Sequence, residues 1–191
     1  QKDSLKQLTR YLPTLQLKKQ QLQTVIRQSH AEIEELKVKQ KEAVDGMKSW
    51  IAVYGENSSW SEERSISHLV KVKEVKKTKG NIAGVEVPVF QSLVFEDVPY
   101  DLRAYPLWVD KAIVALGEIA RYDALIETLK ERIKLLEKEL RTTTQRVNLF
   151  EKVKIPEAKE NIRKIGIYLQ DQQTSAVVRG KIAKKKLGKV S

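Results

Sequence analysis

The sequence predicts a mainly α protein: a long antiparallel two-helix left-handed coiled coil formed by N- and C-terminal helices, with a small β-hairpin-containing insertion at one end. Three observations predict it. Apolar residues recur at alternating three- and four-residue steps from Leu5 to Tyr54, and again from Ile119 to Ala176. Between those stretches the periodicity gives way to turn formers and two valine-rich runs. Charged residues make up 32% of the chain against 41% hydrophobic, a balance that suits long helices with solvated outer faces better than a thick core. The implied division is an N-terminal helix over 1–55, an insertion over 56–108 with a hairpin at about 69–90 and a connector, a C-terminal helix over 109–187, and a tail over 188–191.

The first helix follows a heptad seam. Stepping from Leu5, the positions Leu8, Leu12, Leu15, Leu22, Ile26, Ile33, Leu36, Ala43, Met47, Trp50 and Tyr54 are apolar, and only Lys19, Ser29 and Gln40 interrupt them. A sustained 3.5-residue period describes a narrow stripe that keeps facing one partner as two helices supercoil left-handedly. The polar exceptions loosen the seam and can fix its register. Pro13 removes a backbone donor and crowds the preceding turn, so a kink or a helix start is expected there. At about 1.5 Å per residue, fifty helical residues span about 75 Å, too long for the inside of a compact domain.

From Gly55, the stretch GENSSWSEERS reads as a break. The run from Leu69 to Thr78 and the run NIAGVEVPVF from Asn81 are β-branched at period two, and with Lys79, Gly80 and Asn81 between them they predict an antiparallel hairpin. Such a hairpin needs a helix or a partner to pack on. Pro88 confines the second strand to an edge or ends it. In the connector, Pro99, Tyr100, Tyr105, Pro106 and Trp108 read as local packing rather than a ligand box.

The return helix, starting near 107–110, carries the facing seam: Ile119, Tyr122, Ile126, Leu129, Ile133, Leu136, Leu140, Thr143, Val147 and Phe150. Mixed-sign pairs on its other faces indicate water. After Phe150 the seam resumes at Ile155, Ala158, Ile162, Ile165, Leu169, Gln172 and Ala176, displaced by one residue, so a stutter is expected there with a bend at Pro156. The two seams are expected to face each other.

The chemistry of the chain excludes several functions. It holds no phosphate-cradling G-x-x-x-x-G-K-[ST] loop. His30 and His68 are its only histidines and lie in no metal-binding spacing, cysteine is absent, and no nucleophile has an evident base. No catalytic, metal or cofactor-binding residue is expected. No apolar run is long enough to span a bilayer, and no leader is evident; the lack of cysteine agrees with a reducing cytoplasm. The chain begins at Gln1 rather than at methionine, which leaves room for native residues ahead of it.

The net charge of +11 is concentrated in two places, Lys71, Lys73, Lys76, Lys77 and Lys79, and a tail with Arg179, Lys181, Lys184, Lys185, Lys186 and Lys189 and no acid. Periodicity alone licenses a coiled-coil scaffold, and lysine patches alone a nucleic-acid binder with salt-dependent phosphate affinity. Against the latter, Trp50, Trp60, Tyr105 and Trp108 are not interleaved with the basic runs as a stacking surface requires.

Two word orders carry a resemblance. TTTQRVNLFEKVKIPEAKENIRKI is similar to a T-x-x-R-V-N-A-L-E-x-x-x-I-P-x-L-E-x-x-I-x-x-I pattern at Thr143, Arg146, Val147, Asn148, Glu151, Ile155, Pro156, Ile162 and Ile165; it departs at Leu149 and Phe150 and at Ala158 and Lys159. Independently, Asn81, Ile82, Gly84, Val85, Val87 and Pro88 match N-I-x-G-V-x-V-P. Both patterns belong to the D subunits of the V/A-type rotary ATPases, a family that the chain resembles. The family's R-L-K-x-x-K word is replaced here by Arg179, Gly180, Lys181, Ile182, Ala183 and Lys184, and Gly180 lowers helix propensity. F-type gamma subunits also pair long terminal helices, but their intervening domain is larger than this insertion.

The resemblance implies a non-catalytic central-stalk rotor shaft that transmits torque between a catalytic hexamer and a membrane rotor ring, coupling ATP hydrolysis or synthesis to H+ or Na+ transport. It implies partners in the A and B subunits of the hexamer, in the F subunit of the stalk and in a membrane-rotor socket subunit, with no direct nucleic acid and no membrane insertion. The setting implied is cytoplasmic and peripheral to the membrane. The tip expected to contact the hexamer is Arg179, Lys181, Lys184, Lys185 and Lys186; the seam is Leu22, Ile26, Ile33, Leu36, Met47, Ile126, Leu129, Ile133, Leu136, Leu140 and Val147; the socket end is Ile82, Val85, Val87, Pro88 and Phe90. Glu34, Lys37, Lys130 and Lys134, beside the seam and nearer the insertion, are the positions to inspect for contact with the F subunit.

Overall fold

A computed structural model describes the backbone of residues 1–54, 69–100, 105 and 108–187, and the side chains of the same residues except 48–54 and 186–187. Helix α1 runs over Lys2–Tyr54, strands β1 and β2 over Val72–Ile82 and Val85–Phe95, and helix α2 over Val109–Leu149; a π-helical turn at Phe150–Lys154 leads directly into α3, Ile155–Leu187. The proposed break at 55–65 with Trp60, together with His68, Pro106 and the tail at 188–191, lies outside the described residues, as do the side chains of Trp50, Tyr54 and Lys186. The chain divides into two compact units, one of residues 20–141 and one of residues 1–19 with 142–191.

In the unit of residues 20–141, the seam positions form the core. Leu22, Ile26 and Ile33 of α1 and Ile126, Leu129, Ile133 and Leu136 of α2 are buried in one cluster, with Leu36 and Leu140 packed against it. The helices run antiparallel: Gln40, toward the C-terminal end of α1, donates from Nε2 to Oδ1 of Asp123, toward the N-terminal end of α2, at 2.6 Å. Two polar residues in this part of the seam are thereby accounted for. Ser29 is small enough to be fully enclosed, and Gln40 makes a cross-helix bond that only one register allows. Thr128, also enclosed, satisfies its hydroxyl locally by donating to the carbonyl of Ala124 at 2.7 Å.

The hairpin is antiparallel and longer than the sequence suggests. Its register pairs Ile82 with Val85, so the turn is Ala83–Gly84 rather than 79–81. Both turn residues have positive φ, 51° and 79°, as the twist of a two-residue hairpin loop requires, and Asn81 Oδ1 accepts from the Gly84 N–H at 3.0 Å. The signal was present in Asn81 and Gly84, but an alanine stands where asparagine or glycine is usual. Pro88 does not end β2; it pairs with Lys79 in a two-stranded sheet, where both strands are edges and a missing donor is tolerated. Val87 is buried in the helix-pair core, and Ile82, Ala83 and Val85 pack against that cluster, which supplies the support an isolated hairpin lacks. Gly80 is needed for close approach, since a Cβ there would sit 2.8 Å from Val89 Cγ2.

In the other unit, Pro13 lies within α1, which neither starts nor ends there. Val147 and Ala158 are buried, Thr143 is buried beside them in sequence, and Leu5, Leu8, Leu12 and Leu15 are half-buried.

Candidate functional site

Among the described residues, exposed apolar side chains gather along α3, and an open groove lies at the base of the hairpin. The expected seam in α3 is covered only as far as Ile162, which lines a crevice with Lys2, Leu5, Lys6, Thr9 and Arg10 of α1. Beyond it, every described residue from Arg163 to Lys185 is exposed. Ile165, Leu169, Gln172 and Ala176 are among these exposed residues.

The exposed stretch is not an ordinary solvated face. Ile165, Ile167, Tyr168, Leu169, Val177, Val178 and Ile182 are each about half exposed or more. At 3.6 residues per turn, Ile165, Tyr168 and Leu169 lie on one side, Ile167, Val178 and Ile182 on the opposite side, and Val177 between them. A single neighbouring helix covers one stripe, whereas apolar groups here surround the axis. Charge is distributed to match: from Ile165 to Val178 Asp171 is the one charged side chain, while Arg163 and Lys164 precede the stretch and Arg179, Lys181, Lys184 and Lys185 follow it. Those four tip residues are exposed, and the backbone of Lys186 continues the helix. Near the start of α3, Arg163 donates from Nε and Nη2 to the two oxygens of Glu160 at 2.9 and 2.8 Å. This fork holds the Glu160 carboxyl below the ordinary glutamate value and raises the Arg163 guanidinium.

At the hairpin, Val87 is enclosed, Ile82 and Val85 pack against the helix-pair core, and Pro88 and Phe90 are half-buried. Among the described residues of the insertion, open apolar surface also lies further along β2. A groove of about 610 Å³ is lined by Leu93, Phe95, Val98, Ile113, Val114 and Arg121, among others. Phe95 reaches Gly117 of α2, where an added Cβ would be 3.6 Å from its ring. Sequence reasoning missed this groove because β2 runs past residue 90; the signal was the apolar Leu93, Val94 and Phe95, read as connector. Beside it, Tyr100 donates its hydroxyl to Asp110 in the first turn of α2, which pushes the phenol up, and stacks edge-on against Tyr105 at 5.9 Å. These connector aromatics pack locally.

Glu34 and Lys37 pair with each other at 2.8 Å and are exposed, as are Lys130, paired with Glu127, and Lys134. Among the described residues, no cluster of histidine or carboxylate is arranged to hold a metal ion, and no helix is long and apolar enough to cross a membrane.

Comparison with known proteins adds three findings. Residues 1–185 match the family described as the ATP synthase D subunit. The chain is 48% identical over 190 residues to the V-type ATP synthase D subunit of Borreliella burgdorferi, covering 98% of this chain and 90% of that protein. It is 35% identical over 187 residues to the protein of the same description in Chlamydia muridarum, covering 98% and 91%, and 34% identical over 194 residues to that of Chlamydia pneumoniae, covering 98% and 88%.

Proposed function

Because the chain belongs to the family of ATP synthase D subunits, we propose that it is the rotor shaft of a V-type complex, carrying torque between a catalytic hexamer and a membrane rotor ring. The coupled process is ATP hydrolysis or synthesis with H+ or Na+ transport, and the chain itself is non-catalytic. Its partners in this reading are the A and B subunits around α3, the F subunit on the side of the helix pair near Glu34, Lys37, Lys130 and Lys134, and a socket subunit at the insertion. It sits on the cytoplasmic side, peripheral to the membrane through the complex.

The observation that carries the reading is the apolar circumference of α3. A helix with isoleucine, leucine, valine and tyrosine all round its axis suits contacts on more than one side, as within the cavity of a ring. A shaft must not hold strongly at any one angle. A nearly uncharged surface from Ile165 to Val178 offers little angular preference, and the basic tip at Arg179, Lys181, Lys184, Lys185 and Lys186 supplies diffuse, screened attraction to acidic walls.

The test is assembly with the A, B and F subunits, followed by size exclusion and ATP turnover. Replacing Ile165, Tyr168 and Val178 together by Asp leaves the isolated chain folded, since all three are exposed, and is expected to abolish coupled turnover. Deleting 180–191 tests the tip separately. Unchanged coupling in the Asp variant rejects the reading, and steeply salt-dependent DNA binding by the free chain would replace it with a nucleic-acid function.

A further inference from the structure

We propose that Pro156 and the π turn at Phe150–Lys154 form a rotational lock within the C-terminal helix, fixing the phase of α3 relative to Thr142–Leu149. The proposal concerns the helix itself and does not depend on which partner encloses α3.

The turn is an inserted residue rather than a break. Leu149 and Ile155, on either side, have helical φ/ψ of −61°/−45° and −68°/−49°, and the Ile155 N–H donates to the carbonyl of Phe150, five residues back instead of four. Phe150 and Ile155 are both half-buried and are separated by one turn of this wider pitch, which is the five-residue step in an otherwise three-four seam. On either side of it Val147 and Ala158 are buried. This turn of the helix therefore holds one residue more than α geometry would place in it.

Pro156 explains why the surplus stays in place. In a regular helix its ring would crowd the carbonyl of Lys152, and it has no N–H to offer that carbonyl. With Ile155 turned to Phe150 and no N–H on Pro156, the carbonyls of Glu151 and Lys152 both lack their usual i+4 donor, and both residues are exposed. If the turn annealed to α geometry, or moved toward the C-terminus, Pro156 would enter a regular helix and meet that clash. Annealing would also rotate α3 by about one residue, roughly 100°. Glu157 would then occupy the covered place of Ala158, and Asn161 that of Ile162.

The chain has no cysteine, so introduced pairs report without background. Thr9 and Ile162 line one crevice. In the full chain, Thr9→Cys with Ile162→Cys is expected to cross-link through a short bis-maleimide, and Thr9→Cys with Asn161→Cys to do so several-fold less. Adding Pro156→Ala is expected to raise the 9–161 yield several-fold, as the second register becomes accessible. Deleting Val153 in the Pro156→Ala background removes the surplus residue and is expected to return the chain to the 9–162 register alone. A 9–161 yield unmoved by Pro156→Ala, in a variant that melts like the parent, would overturn the lock. So would two registers persisting after the deletion, because the surplus residue would then not be their source.

Discussion

Lys77 of β1 and Glu131 of α2, fifty-four residues apart in sequence, meet at 2.7 Å and tie the hairpin to the helix beneath it. Their side chains are 30% and 47% exposed, between the solvated pairs on the helix surfaces and a fully enclosed pair. A double-mutant cycle with Lys77→Met and Glu131→Gln is expected to give a coupling of about 0.5–1 kcal/mol by chemical denaturation, falling as salt is raised. The Lys79–Glu86 pair, far more exposed at 3.3 Å, is expected to give a coupling near zero.

Adjacent leucines on α2 should respond to very different degrees to the same truncation. Leu136 is fully enclosed in the core cluster, while Leu135 is 42% exposed. Leu136→Ala is expected to cost about 2–5 kcal/mol of unfolding free energy, and Leu135→Ala less than about 1 kcal/mol. Equal losses would mean that α2 is rotated from the phase described.

The hairpin turn offers a stabilising substitution. Ala83 holds φ of 51°, a region that favours glycine and asparagine, and Gly84 holds 79°. Ala83→Gly is expected to stabilise by about 0.5–1 kcal/mol, and Gly84→Ala to destabilise by about 1 kcal/mol. Midpoints of denaturant unfolding check both, and the signs should be opposite.

Acid should weaken α3 at one identifiable point. The folded Glu160 carboxyl sits below its ordinary value because Arg163 hydrogen-bonds its charged form, so the associated helix stabilisation is present above the unfolded glutamate pKa and is lost as pH falls through the lowered folded one. Carboxyl chemical shifts followed through a pH titration are expected to show Glu160 titrating below the ordinary glutamate value, and Arg163→Ala is expected to raise it toward that value.

The sequence by itself determined the seam. Leu22, Ile26, Ile33, Ile126, Leu129, Ile133 and Leu136 are legible because a heptad stripe is a local property, and the physics that buries it needs only a second stripe of the same period. The surplus residue near Pro156 was legible for the same reason, as a five-residue step in the count, although its form as a π turn was not. Two word orders, in the return helix and the insertion, were enough to suggest the family. Tertiary structure alone decided which apolar residues are covered. Val87 and Val89 look alike in sequence, yet Val87 is enclosed against the helix pair and Val89 is only half-buried, because coverage depends on how the strand lies on the helices. It also placed the turn at Ala83–Gly84, where the register of facing strands outweighs the local preference of alanine, and formed the groove at Leu93 and Phe95, which exists only once β2 lies against α2.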